Sequence, residues 1–116
     1  VTNSLYILAG RVVCDNKVAV LYSPGFGSGW SSWAFPELAE KLLFDPEVVT
    51  WVLNGKVGDY PNLETKYGVK TEDLPTIGGT MDLAIRWVPI GTKFRIHEYD
   101  GSESVVLENE DDWILA

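Results

Sequence analysis

Cysteine and histidine are almost absent from this 116-residue chain, with Cys14 and His97 the sole representatives. One cysteine excludes an intrachain disulfide and a cysteine-based zinc site, and one histidine excludes a multi-histidine metal centre. Basic residues are also scarce: nine Lys and Arg against seventeen Asp and Glu, a net charge of −8 with His97 neutral. That balance argues against nonspecific nucleic-acid binding, whose affinity comes from cations neutralising phosphates. It argues equally against docking on anionic membranes. It suits a basic protein partner, or simply solubility. No apolar run approaches the ~20 residues of a membrane span. The opening VTNSLYILAGRVV has no basic leader and no small-residue cleavage site, so a cytosolic location is expected.

What is present is apolar and aromatic. Forty-six per cent of the residues are hydrophobic, and five Trp, five Tyr and four Phe are many for one small domain. Each aromatic buries a large area, which suits a single compact domain over 1–116. SLYILAGRVVCDNKVAVLYSP reads as strands at about 5–14 and 17–22, joined as a hairpin at Asp15-Asn16, with Gly10 marking a bulge. Phe35, Leu38, Ala39, Leu42 and Leu43 then recur at helical spacing. DPEVVTWVLNG follows, with Asp45 to cap, Pro46 for the first helical position, Asn54-Gly55 for the exit, and Phe44, Val48, Trp51 and Val52 as its buried stripe. Residues 55–80 are broken by glycine and proline, with a short helix around 61–67.

The last third is β again. DLAIRWV alternates Leu83, Ile85 and Trp87 against Asp82, Ala84 and Arg86. TKFRIHEYDGSESVVLE predicts a hairpin turning at Asp100-Gly101, which sets Tyr99 opposite Ser102, Ile96 opposite Val105 and Phe94 opposite Leu107. The same register sets Glu98 opposite Glu103, an unfavourable pair of like charges. DDWILA could add a terminal edge strand. Strands, then helices, then strands predict an α+β fold: an antiparallel sheet of about five strands in two hairpins, with two short helices packed on one face.

Residues 23–33, SPGFGSGWSSW, hold three glycines, four serines and two tryptophans. Gly25, Gly27 and Gly29 alternate, which is not the Gly-X-Gly-X-X-Gly of a dinucleotide fold, and no helix follows at once. A phosphate loop would need Gly-Lys-Ser or Gly-Lys-Thr, and the hydrolase elbow fails because Phe26 stands two places before Ser28. A generic nest of backbone N–H groups for an anion survives, beside the plainer reading of a tightly turned connection. Trp30 and Trp33 either stack on a partner or cap the core, while Trp51 and Trp87 belong to the core.

The binding candidates are this loop, with Tyr22 and Ser23 before it, and the face formed by Lys93, Arg95 and Tyr99. His97 shares that face and is the natural general acid or base, with Glu98 or Asp100 as its acid and Ser102 and Ser104 across the hairpin. No spacing asks for that triad, and a lone histidine on a polar sheet face is usually not catalytic. Cys14 reads as structural. ENEDDW holds four acids in six residues, but Asp111 and Asp112 would point to opposite faces of a strand and share no ion. No cofactor and no metal is therefore expected.

VAVLYSPGFGSGWSSW, LLFDPEVV, GGTMDLAIRWVPIGTKFRIHEYDGSESV and a late DDW together resemble a group of small proteins from bacteriophages and their hosts. That group carries a Tyr-Ser-Pro-Gly-Phe-Gly-X-Gly-Trp block near its start and a Gly-Thr-X-Phe-X-Ile-X-Glu-Tyr-Asp-Gly-Ser-Glu block near its end. The resemblance implies a phage or prophage source and a small accessory protein, with no catalytic residues to carry over. The leading expectation is a non-enzymatic protein that binds a host or phage macromolecule in the host cytosol, inhibiting a host defence or nucleic-acid-processing protein. Its partner would be a protein. The second is a nucleotide-binding or nucleotide-sequestering protein, with the three loop glycines as donors, Trp30 or Trp33 stacking, and Lys93 and Arg95 on the phosphate. The third is a small enzyme built on His97. A homodimer through a strand edge is compatible with all three.

Overall fold

The computed structural model describes residues 5–25, 29–70 and 82–108. Its element order is β1 (Tyr6–Leu8), β2 (Arg11–Cys14), β3 (Lys17–Tyr22), a 3₁₀ turn (Ser31–Trp33), α1 (Pro36–Phe44), α2 (Pro46–Leu53), α3 (Leu63–Tyr67), β4 (Ala84–Pro89), β5 (Phe94–Tyr99) and β6 (Ser102–Leu107). The fold class is α+β. The sheet expected to be single is instead two antiparallel sheets, one of four strands in the order β1-β2-β3-β4 and one of two, β5-β6.

The run expected to be one strand at 5–14 is two. Ala9 and Gly10 both take positive φ, 52° and 76°, and pair Leu8 with Arg11 across a two-residue turn. Gly10 is thus the second residue of a type I′ turn and not a bulge. Asp15-Asn16 and Asp100-Gly101 make the two turns expected of them, again with positive φ at both central residues. The β5–β6 register is the one read from the turn, including Glu98 opposite Glu103.

The sheet faces follow from strand alternation. Ala19 and Leu21 of β3, with Leu83, Ile85 and Trp87 from the β4 side, pack against Leu38, Leu42, Val48 and Val49 of the helices. Val18, Val20 and Tyr22, with Val88, pack instead against Phe94, Ile96, Val105 and Leu107 of the β5–β6 hairpin, joined by Leu43 and Phe44 from the end of α1. Helices and hairpin therefore draw on different residues of the same strands. A short bond from the Arg86 guanidinium to the Val105 carbonyl (2.6 Å) ties the two sheets. Phe35 is exposed and precedes α1 as its cap residue, so the buried stripe of that helix starts only at Leu38.

Asp45 ends α1 and starts α2, its carboxylate accepting from the Val48 N–H at 3.0 Å with Pro46 next, as the sequence suggested. It does more than cap. Completely buried, it also accepts from the Tyr67 hydroxyl and pairs with the Lys66 ammonium at 3.0 Å, which in turn reaches Glu47 at 3.0 Å. Burial first, and then the Asp45 hydrogen bond, pushes the Tyr67 phenol well above its ordinary 10.0. Burial disfavours the Lys66 ammonium, but its bonds to Glu47 and Asp45 prevail and raise it above 10.5. The short helix expected near 61–67 is α3. It is capped by Asn62 on the Thr65 N–H, closed by Gly68 at φ 64°, and held to the α1–α2 junction by this cluster. The DDWILA segment lies outside the described residues. Among those described, no helix is long and apolar enough to cross a membrane.

Candidate functional site

The glycine stretch and the hairpin tip form one unit, organised by Glu103. On β6, Glu103 belongs to the inward set with Val105 and Leu107, and it is only 2% exposed. A carboxylate on such a face must find donors, because an unpaired buried charge is very costly. It finds them 71 to 80 residues upstream: the N–H groups of Ser23, Trp30 and Ser32, each at 2.9 Å, and the Ser32 hydroxyl. The Glu103 N–H also donates to the Ser23 carbonyl at 2.7 Å, and the Ser102 hydroxyl to the Pro24 carbonyl at 2.8 Å. N–H groups of this stretch do converge on an anion, but the donors are Ser23, Trp30 and Ser32 and not the glycines, and the anion is the chain's own carboxylate.

Glu98, directly opposite, is likewise occupied. Its carboxylate accepts from the Gly101 N–H at 2.7 Å and stands 3.4 Å from the Trp33 indole nitrogen. The like-charge pair that looked unfavourable is offset because each acid has its own donors, Glu103 from the loop and Glu98 from the turn and Trp33.

The two tryptophans part company. Trp30 is 1% exposed and donates its indole N–H to the Leu42 carbonyl at 2.8 Å, so it caps the core and offers no stacking face. Trp33 is 44% exposed at the start of the helical segment. The glycines are explained by crowding. A Cβ on Gly29 would meet the Trp33 ring at 2.7 Å, and one on Gly25 would collide with the Asp82 carboxylate. Neither takes positive φ; at Gly29 the Trp33 ring demands glycine, while at Gly25 the atoms met belong to the exposed Asp82 side chain. Phe26 and Gly27 lie outside the described residues.

Ser23 is buried with both its backbone groups engaged, and Tyr22 packs on the second core cluster, so neither presents a contact surface. On the outer face of β5–β6, Arg95, His97 and Tyr99 line up opposite Val106, Ser104 and Ser102. All three are exposed. Strand alternation turns Glu98 to the inner face, away from His97. Asp100 is a turn residue at φ 50°. Lys93 sits at the far end of the hairpin, its carbonyl accepting from the Glu108 N–H, about six residues and so roughly 20 Å of strand from the glycine loop. The loop, a stacking Trp30, and Lys93 with Arg95 are therefore not brought together as one nucleotide site. Asp111 and Asp112 lie outside the described residues. Among the described ones, no group of three or more His, Cys, Asp or Glu is placed to hold a metal.

A concavity that sequence reasoning missed lies elsewhere. A groove of about 610 Å³ opens between the Ala9-Gly10 turn, α1 and α3, where Arg11, Lys41 and Lys66 meet Phe44 and Tyr67. The Arg11 guanidinium lies 4.0 Å over the Phe44 ring and 3.7 Å from Glu40. Three of the chain's nine cations thus converge here. Their separation in sequence, from 11 to 66, hid the convergence.

Comparison with protein-family models, with curated proteins and with solved structures gives no match.

Proposed function

We propose that this chain is a non-enzymatic, phage-type accessory protein that binds a protein partner through the tip of its β5–β6 hairpin and the adjoining loop. The observation that carries this reading is the Glu103 latch. It fixes the loop to the hairpin and leaves Trp33 and Tyr99 exposed beside the same tip, Trp33 against Glu98 and Tyr99 on the opposite face. Rigid, exposed aromatics are the side chains that dominate binding hot spots. The acidic balance and the phage resemblance favour a host or phage macromolecule in the host cytosol, with inhibition of a defence or nucleic-acid-processing protein as the biological outcome. Capture of a partner from host lysate tests this. Binding is expected to be lost in Trp33→Ala and Tyr99→Ala; no partner above background, or capture indifferent to both changes, removes the reading.

A small anionic ligand is the second reading: the groove sets Arg11, Lys41 and Lys66 beside Glu37 and Glu40, and Lys41 is the cation there that makes no ion pair among the described residues. The groove's size falls within the range of ligand pockets. A thermal-shift screen against nucleotides, with Lys41→Ala as control, tests it, and a flat response throughout ends it.

A further inference from the structure

β1 breaks the rule by which natural proteins protect a sheet edge. It is the outermost strand of the four-stranded sheet, and edge strands ordinarily carry a charge, a proline or a bulge. Here Leu5, Tyr6, Ile7 and Leu8 run without one polar side chain other than the tyrosine hydroxyl. The backbone is presented as well. Leu8 and Arg11 flank a two-residue turn and form a hydrogen-bonded pair, so Ile7 opposite Val12 is the non-bonded pair. Ile7 therefore directs its N–H and C=O outwards along an edge that no other strand among the described residues pairs with. Beside it runs a groove of about 420 Å³ in which Ile7 meets Trp51 and Val57.

We infer that β1 is the seat of a two-fold homodimer, in which the β1 strands of two copies pair antiparallel about Ile7 and join the two four-stranded sheets into one. The strand is self-complementary in this register. Ile7 meets Ile7 of the second copy and Tyr6 meets its Leu8, so within the paired strands no charge meets a like charge despite the net −8 of each chain. Area supports a second copy. Leu5, Tyr6, Ile7, Leu8 and Val57 are 54, 48, 65, 55 and 76% exposed, which leaves on the order of 600 Å² per copy. Complete cover in both copies would amount to at most about 1,200 Å², so the seat reaches the lower end for stable specific interfaces only with Leu5 and Val57 inside it. Two-fold pairing also closes on itself, removing the edge from both copies and leaving none for further addition.

The test is mass in solution against concentration, by light scattering or sedimentation. The wild-type chain is expected at twice its 12.9 kDa, while Ile7→Lys and Ile7→Glu each run as folded monomers by circular dichroism. Mixed one to one, these two variants are expected to dimerise again, because an ammonium and a carboxylate would then face each other across the two-fold axis. Ile7→Ser, neutral and at an exposed position, is expected to weaken the dimer at least tenfold. A wild-type monomer at every concentration overturns the inference. So does a dimer indifferent to all three changes, or a mixture of the charged variants that stays monomeric. Because Ile7 lies on the outermost strand of the four-stranded sheet and Trp33 and Tyr99 lie at the β5–β6 tip, partner capture by Ile7→Lys separates failure of this inference from failure of the proposed binding function.

Discussion

Glu103 and Asp45 are both carboxylates buried to within a few per cent, yet they are held in different ways. Asp45 has a cation, Lys66, along with the Tyr67 hydroxyl and one helix N–H. Glu103 rests on three backbone N–H groups and a hydroxyl from a single loop. A cation on a flexible stem can return to water when its partner is lost, whereas the amides of a folded loop cannot. The Asp45 cluster joins residues about twenty apart in sequence, while the Glu103 latch joins blocks more than seventy apart.

The largest expected effect tests that difference. Glu103→Ala strands the buried N–H groups of Ser23 and Trp30 and frees two donors of the exposed Ser32, and should cost about 3 kcal/mol in urea unfolding. Glu103→Gln, which keeps one acceptor oxygen, should cost less. A loss below about 1 kcal/mol for the alanine variant would mean that the loop does not depend on the latch.

Asp45→Ala comes next, at about 2–3 kcal/mol, from the lost cap and the unpaired Tyr67 hydroxyl. Asp45→Asn should recover the capping share. Equal costs for Asp45→Ala and Glu103→Ala would erase the distinction drawn between cation and amide.

The two sites also separate on the alkaline side. Tyr67 and Lys66 hold their protons more tightly in the folded chain, since both values are raised. The native state therefore binds more protons than the unfolded one once pH passes the ordinary 10.0 of tyrosine, and stability falls as pH rises from there. Tyr67→Phe should flatten that fall, measured as unfolding midpoints at pH 8 and pH 11, and Glu103→Gln should leave it unchanged.

The smallest effect is at the loop's edge. Gly25→Ala should cost about 1–2 kcal/mol by driving its Cβ into the Asp82 carboxylate, and Asp82→Ala should relieve most of that in a double-mutant cycle. Additive costs would show that the crowding is absent in solution.

What could be read beforehand follows the same division between near and far. Asp100-Gly101 carries its turn chemistry within two residues, and with it came the whole β5–β6 register. Asp45-Pro46 announced a helix start just as locally. Ala9-Gly10 did not, since an apolar run flows through it and only the left-handed backbone marks the turn. The split into two sheets was hidden because β4 pairs with β3 across more than sixty residues of chain. Glu103 did leave a trace. A glutamate in register with Ile96, Val105 and Leu107 on an inward face demands donors, and a glycine-rich stretch is where spare amides lie. Joining the two required knowing that β6 begins beside Ser23.

The latch also sets an order of events in time. During synthesis the loop emerges some seventy residues before the acid that shapes it. Loop closure over such a span is among the slow contributions to folding. Until residue 103 has been made, the N–H groups of Ser23, Trp30 and Ser32 lack the carboxylate they bond in the fold, so a chain halted before that residue has no latch.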